Sequence, residues 1–265
     1  MQIRPHPALA HLVRHYLVLE NRQPVVLAHR LFADGNTGLV FNLENTVLQA
    51  TGNSPSQHCS WLYGQLNTYH DFSLTGTINW IVVVFYPYGA YHLWSVPAPE
   101  LYNCFVPARE VLGPRMNVIQ AALLKTDHVA TRIHLLNNFL LQQLDKSIRP
   151  DGVVVQAVQQ ITEHEGTLPV QSLLQALSVN ERTLERKFRL HTGITAKQYS
   201  GIVRLNTGAK KMQRMNAGDR LTGIAYESGY FDQAHFIREF KKYTGITPHQ
   251  YHREVRPLAL NFLQL

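Results

Sequence analysis

The chain has 265 residues, 45% of them hydrophobic, which suits two ordinary domains or one large one and argues against disorder. Lys and Arg number 25 against 18 Asp and Glu, a formal charge of +7 that favours a polyanionic partner without identifying it. Cys59 and Cys104 alone cannot build a disulfide framework or a four-ligand zinc site, so free thiols in the cytosol are the expectation.

No charged-then-apolar leader opens the chain, and its longest apolar run, Trp80 to Tyr86, is far shorter than a membrane span. A cytoplasmic protein without a membrane partner is expected. Short stretches rich in β-branched and aromatic residues come first: Tyr16–Leu19, Gly38–Phe41, Trp61–Tyr63 and Trp80–Tyr86. Asp34-Gly35-Asn36, Thr51-Gly52-Asn53-Ser54-Pro55 and Pro87-Tyr88-Gly89 separate them as turns, which predicts a barrel or sandwich. From about Gly113 the period becomes helical. Val129, Ile133, Leu136, Leu140 and Leu144 mark one apolar stripe, and Pro150-Asp151-Gly152 ends it. The division expected is a β-rich domain over 1–148, closing with helices at about 114–146, and an all-α domain over 151–256.

The α domain contains a repeat. Arg186-Lys187-Phe188-Arg189-Leu190-His191-Thr192-Gly193-Ile194-Thr195-Ala196-Lys197-Gln198-Tyr199 returns 52 residues later, from Arg238 to Tyr251, with eight of fourteen positions identical. Gly193 and Gly245 can end a helix in the left-handed conformation. Thr195 with Gln198, and Thr247 with Gln250, have capping-box spacing for the next helix, and Pro248 suits its first position. A shorter helix precedes each copy, marked by Leu173, Leu174 and Leu177, then by Leu221, Ile224 and Ala225. Helix, short turn, helix therefore occurs twice, which reads either as paired helix-turn-helix units or as a plain helical scaffold.

Charge favours the former. On the helix from Asn180, Leu184 and Phe188 face inward while Arg182, Glu185, Arg186 and Arg189 form an outward stripe. On the helix from Asp232, Phe236 and Phe240 face inward while Gln233, Ala234, Ile237, Arg238 and Lys241 face out. Arg and Gln suit bidentate hydrogen bonding to guanine and adenine edges; Ala234 and Ile237 suit thymine methyls or shape readout. The segment between, about Ala196 to Met212, spans roughly 25 Å as a helix, enough to set two reading heads about one DNA turn apart.

The run from Leu221 to Lys242 (Leu-Thr-Gly-Ile-Ala-Tyr-Glu-Ser-Gly-Tyr-Phe-Asp-Gln-Ala-His-Phe-Ile-Arg-Glu-Phe-Lys-Lys) resembles the signature of the AraC/XylS transcription regulators, and the repeat resembles their two-unit DNA-binding domain. Two departures stand out: Ser178-Val179-Asn180-Glu181 replaces a commoner Gly-Val-Ser-Arg start, and Gly208 follows Arg204 where Ala is usual. The resemblance implies bases facing Arg182, Glu185 and Arg186 in the first unit and Gln233, Ala234, Ile237 and Arg238 in the second. It also implies an activator that recruits RNA polymerase, and an N-terminal cupin-like domain that senses a small-molecule effector, dimerises, or both. Homodimerisation through the helix at 127–145 and packing of that helix on its own domain remain alternatives. Likewise Trp61, Tyr63, Tyr69, Trp80, Phe85, Tyr86, Tyr88, Tyr91 and Trp94 either line a pocket or fill a core. His29, His70 and His92 lie in strand-like segments and could converge, but no metal-ligand spacing occurs, so no metal and no cofactor is expected. An alkyl-transfer enzyme carrying such a DNA-binding unit needs a cysteine cluster that two cysteines cannot make, which leaves a non-enzymatic regulator as the expectation.

Overall fold

Two long strands and their side-chain parity organise the N-terminal part. The computed structural model describes residues 1–44, 47–50, 60–144, 147–216, 219–253, 256–259 and 261–264. The predicted turn at Thr51–Pro55 and Cys59 lie outside them. Strands β1 (Gln2–Ile3), β2 (Val13–Leu31), β3 (Thr37–Asn42), β4 (Val47–Ala50), β5 (Trp61–Tyr63), β6 (His70–Phe85) and β7 (Phe105–Pro107) come first, and β8 (Arg256–Ala259) and β9 (Phe262–Gln264) close the chain. All join one antiparallel sheet of order β7-β5-β3-β6-β2-β9-β8, with β1 on β2 and β4 on β6. β2 and β6 pair from Val13 opposite Phe85 to Leu31 opposite His70, with a register shift between Asn21 and Val25. Pro24, which lacks an N–H to donate, falls in that interruption, where a strand tolerates it.

Sequence reading treats Trp80–Tyr86 as a single apolar run; the strand's period of two divides it. Trp80, Val82 and Val84 face the same side as Leu19, Val40, Trp61 and Tyr63. Ile81, Val83 and Phe85 face the opposite side with Tyr16, Val18, Leu39, Phe41 and Leu62. The expected β-rich part followed by helices is therefore present. Among the described residues no ladder joins β7 to β8, so the sheet is open rather than closed by hydrogen bonds.

Helices α1 (Gly89–Trp94), α2 (Ala108–Leu112), α3 (Arg115–Leu124) and α4 (Val129–Leu144) cover the second face. Ile133, Leu136 and Leu140 of α4 are buried in this core, with Val129 and Leu144 packed against it, so the stripe weighed for a second protomer lies against its own sheet domain. The same core continues past residue 151 into Val154, Ala157 and Val158 of α5 (Gly152–Glu163), Leu173 of α6 (Val170–Leu177) and Leu184 and Phe188 of α7 (Glu181–Thr192). The long α8 (Ala196–Gln213) then leads to α9 (Leu221–Glu227), α10 (Gln233–Thr244) and α11 (Pro248–Arg253), whose core centres on Phe236, Phe240, Met212 and Tyr251. The helical domain expected to end at 256 is followed by β8 and β9, and β9 returns to β2. Among the described residues no helix is long and apolar enough to cross a membrane.

Candidate nucleic-acid interface

The repeat extends to individual hydrogen bonds. α7 ends at Gly193 with φ 85° and α10 at Gly245 with φ 72°, each amide donating to the carbonyl four residues back, Arg189 and Lys241. The Thr192 hydroxyl lies 2.8 Å from Phe188 O and 3.2 Å from Ile194 O; that of Thr244 lies 2.7 Å from Phe240 O and 3.0 Å from Ile246 O. Both capping boxes form: Thr195 with Gln198 at 2.9 and 3.1 Å, Thr247 with Gln250 at 2.8 and 3.2 Å. Asn180 caps α7 through the Thr183 amide (2.8 Å) and Asp232 caps α10 through the His235 amide (2.6 Å). These contacts set the angle between α7 and α8, and between α10 and α11, because they satisfy backbone groups that a helix end otherwise leaves unpaired.

The predicted reading residues fall on the second helix of each unit, α7 and α10. Arg182, Arg186 and Arg189 of α7 and Ala234, Arg238 and Lys241 of α10 are exposed; Glu185, Gln233 and Ile237 are half-buried. Glu185 is turned toward the start of α8: burial raises its pKa, while the Arg189 charge and the Ala196 amide oppose that shift. Gln233 accepts a hydrogen bond from the Thr222 hydroxyl at 2.6 Å, which orients its carboxamide and leaves the NH2 group to donate. Sequence reading missed Phe231, 85% exposed immediately before the α10 cap, and Tyr226, 60% exposed at the end of α9. A solvent-exposed aromatic beside an N-cap is the signal that would have identified Phe231.

The basic residues between Arg182 and Arg214 divide into paired and unpaired ones. Lys187 pairs with Asp151 (2.6 Å), Arg204 with Glu239 (3.4 Å), and Lys211 lies 3.6 Å from Glu165 and 3.8 Å from Glu227. Among the described residues no carboxylate comes within 4 Å of Arg182, Arg186 or Arg189, so the unpaired charge concentrates on the outer face of α7. The helix-interior Gly208 that departs from the expected pattern has a steric reason: a Cβ there would lie 2.8 Å from the Phe236 ring, so its absence lets α10 approach α8.

Both joints also dock on the sheet domain. A Cβ at Gly193 would lie 2.8 Å from Ala98 O, and one at Gly245 would overlap the Arg30 guanidinium and the Tyr69 ring. Arg30 is ion-paired with Asp71 at 2.6 and 2.7 Å, donates to Thr244 O at 3.2 Å and stacks 4.0 Å from the Tyr69 centroid. On the first unit, His191 Nδ1 lies 3.2 Å from His92 Nε2 in a buried contact, and His92 Nδ1 lies 3.2 Å from Ile148 O. Burial, then the nearby His191, lowers the His92 pKa to about 4; burial also lowers that of His191, against the Asp151 charge. The three histidines of the strand-like segments therefore serve separate contacts, a correction to their convergence: His29 stacks on Phe262, His70 bonds Asn103, and His92, on a helix rather than a strand, meets His191. Of the aromatics, Trp61, Tyr63 and Trp80 line a pocket, whereas Phe85 and Tyr88 fill the core and Trp94 packs against it.

Residues 173–254 match the family model described as a helix-turn-helix domain, and residues 1–107 match a domain of unknown function (DUF6597). The chain is 35% identical over 71 residues to the HTH-type transcriptional activator RhaS of Pectobacterium carotovorum subsp. carotovorum strain PC1, covering 27% of this chain and 25% of that protein. It is 31% identical over 86 residues to RhaS of Escherichia fergusonii, covering 32% and 29%. The chain thus spans about a quarter of the length of the curated relatives it matches. Among solved structures, ToxT from Vibrio cholerae O395 aligns at 15% identity and TM-score 0.49 over 89% of this chain and 96% of that one. The C-terminal domain of AraT, a response regulator from Geobacillus stearothermophilus, aligns at 28% identity and TM-score 0.37 over 40% and 88%.

Proposed function

We propose that this chain, a member of the AraC/XylS regulators by its C-terminal helix-turn-helix domain, is a sequence-specific duplex-DNA-binding transcription activator that reads two successive major-groove windows. The observation that carries the reading is the repeated joint, which presents exposed Arg182, Arg186 and Arg189 on one helix and Arg238 and Lys241 on the other, none ion-paired among the described residues. Arginine at such positions makes bidentate contacts to guanine, while surrounding Lys and Arg bind phosphate and make affinity depend on salt. Gln233, with its carbonyl occupied by Thr222, offers donors to a purine N7 or a thymine O4. Phe231, Ala234 and Ile237 extend an apolar strip along the same helix, suited to thymine methyls. Glu185 is assigned to setting the α7–α8 joint beside its base-facing neighbours.

α8, 18 residues long and so roughly 27 Å at ~1.5 Å per residue, connects the two units and spaces their reading helices. RNA polymerase is the inferred partner of an activator, and the division at 148/151 separates a sensing part from a reading part, with a small-molecule effector controlling the former. A homodimer through 127–145 would have to use the outer edge of α4, because its apolar stripe is buried. The test is selection from a random duplex pool across a salt series. Two short blocks about ten base pairs apart should be enriched. Retention that collapses with salt and enriches no sequence would rule the reading out.

A further inference from the structure

The two helix-turn-helix units touch each other directly, along one face of α8. Arg204 and Lys211 mark that face, since residues seven apart lie about two turns from each other on the same side of a helix. From the first unit, the segment after α5 lies against the α8 backbone: a Cβ at Gly166 (φ 77°) would stand 2.3 Å from Ser200 O and 2.7 Å from Arg204 N. From the second, the turn between α9 and α10 brings Gly229 (φ 76°) onto Thr167, whose methyl group lies 2.5 Å from where a Cβ would stand. Glycine permits both that approach and that backbone.

Both cations act across this seam. Lys211 donates to Glu227 O at 2.7 Å and lies 3.6 Å from the Glu165 carboxylate, so it joins the end of α9 to the first unit. Arg204 donates to Glu239 of α10 at 3.4 Å. Its guanidinium carbon also lies 4.7 Å from the ring centroid of buried Tyr230, in the turn that precedes α10. One side chain of α8 thus holds both the second reading helix and its turn, at the point where the first unit abuts the same helix. The apolar contact beside it sets Phe236 on Gly208, where no side chain of α8 blocks sliding. The polar grip of Arg204 is what opposes that movement.

We propose that Arg204 is a positioning residue that sets the spacing of the two DNA windows. The proposal deepens the two-window reading above and rests on it. One base pair added between the windows moves the second by about 3.4 Å and turns it by roughly 35° about the DNA axis. With the first unit fixed, a displacement of that size away from α8 breaks the Arg204–Glu239 pair. It also carries the Tyr230 ring past the ~6 Å within which its face attracts a cation. A wrong spacing therefore loses contacts that the right one keeps, although neither contact touches a base. Part of the specificity then lies outside the reading residues, in the side chain that orients one head against the other.

Double electron-electron resonance tests the positioning without DNA, in the full chain with Cys59→Ser and Cys104→Ser. Spin labels go on the exposed positions of Arg189→Cys in α7 and Lys241→Cys in α10. This parent should give one narrow distance. Arg204→Gln should widen the distribution, Glu239→Gln should widen it less, and Lys125→Gln, on the sheet domain, should leave it unchanged. A second arm measures affinity for duplexes that carry the two selected blocks at their preferred spacing, or with one base pair added or removed. Wrong spacing should cost the wild type at least about tenfold, and Arg204→Gln should reduce that penalty about fivefold while both blocks keep their base preferences. Lys241→Gln should weaken binding at every spacing alike. A distribution as narrow in Arg204→Gln as in the parent, or an undiminished spacing penalty, would overturn the proposal. Glu239→Gln alters a partly exposed carboxylate, so it decides the matter where Arg204→Gln fails to fold. A wild type that enriches no two-block site sinks the regulator reading, while the label distances still decide the role of Arg204.

Discussion

The first helix-turn-helix unit joins the sheet domain through apolar packing: Leu184 and Phe188 belong to the same core as Phe85 and Leu136, and buried His191 meets His92. The second belongs to a separate core around Phe236 and Phe240, to which the sheet domain contributes Phe32. It reaches the sheet domain through Phe32, Leu263 and the polar contact of Arg30 with Thr244 O. Identical joints thus carry unlike attachments. A broad shared core resists sliding, since its side chains interdigitate, whereas the second unit shares only Phe32 and Leu263 with the sheet domain beside a polar contact and a short strand, a smaller attachment that separates at lower cost. The second unit is therefore the one positioned to change its orientation, and the first serves as its fixed reference.

Substitution of the two joint glycines attacks this difference most strongly. Gly193→Ala places a methyl group against the Ala98 carbonyl. The left-handed backbone costs about 1–2 kcal/mol and overpacking adds about 1–3 kcal/mol, so the urea midpoint should fall markedly. Gly245→Ala meets side-chain ends that can move, and its cost should stay near the left-handed term of about 1–2 kcal/mol. The reverse order would break the comparison. Arg30→Gln should cost about 1.5–3 kcal/mol by removing charged hydrogen bonds to Asp71 and Thr244. Hydrogen exchange should then quicken in α10 and α11 and stay unchanged in α7.

Acid should act on the other unit. The folded-state pKa of His92 is lowered to about 4 and that of His191 is lowered too, so between about 4 and the ordinary value of 6.5 the unfolded chain binds more protons. Stability contributed by the α1–α7 contact is present above pH 6.5 and is lost as pH falls toward 4. The groups facing the pair are Asp151, Lys187, His11 and Tyr91; none reverses that sign. Exchange in α7 should rise through this window, and His92→Phe should flatten the dependence. The smallest effect is expected from Lys187→Gln, which removes a partly exposed pair with Asp151 worth at most about 1 kcal/mol.

How much of the molecule is legible in its sequence depends on how far each contact reaches along the chain. Gly193, Thr195 and Gln198 make their hydrogen bonds within four residues, so spacing alone revealed the joint and its copy. The Trp80–Tyr86 run was recognisable as a strand, but its two faces became distinguishable only once β2 and β3 flanked it. Docking contacts join His191 to His92 and Phe262 to His29, pairings no local pattern encodes. The C-terminal strand escaped notice because the helical pattern had ended at Arg253, although Asn261-Phe262-Leu263 comes after it in an apolar-rich tail. Gly208 departed from expectation for a reason visible only in space, the approach of Phe236.

The central claim, that two heads on one chain read two windows, is tested most directly by repeating the duplex selection with Arg186→Ala and Arg238→Ala. Each variant should lose about 1–3 kcal/mol on the wild-type operator and relax one base pair, Arg186→Ala in one block and Arg238→Ala in the block about one turn away. Relaxation of the same block by both variants, or uniform weakening with the motif intact, would contradict the account.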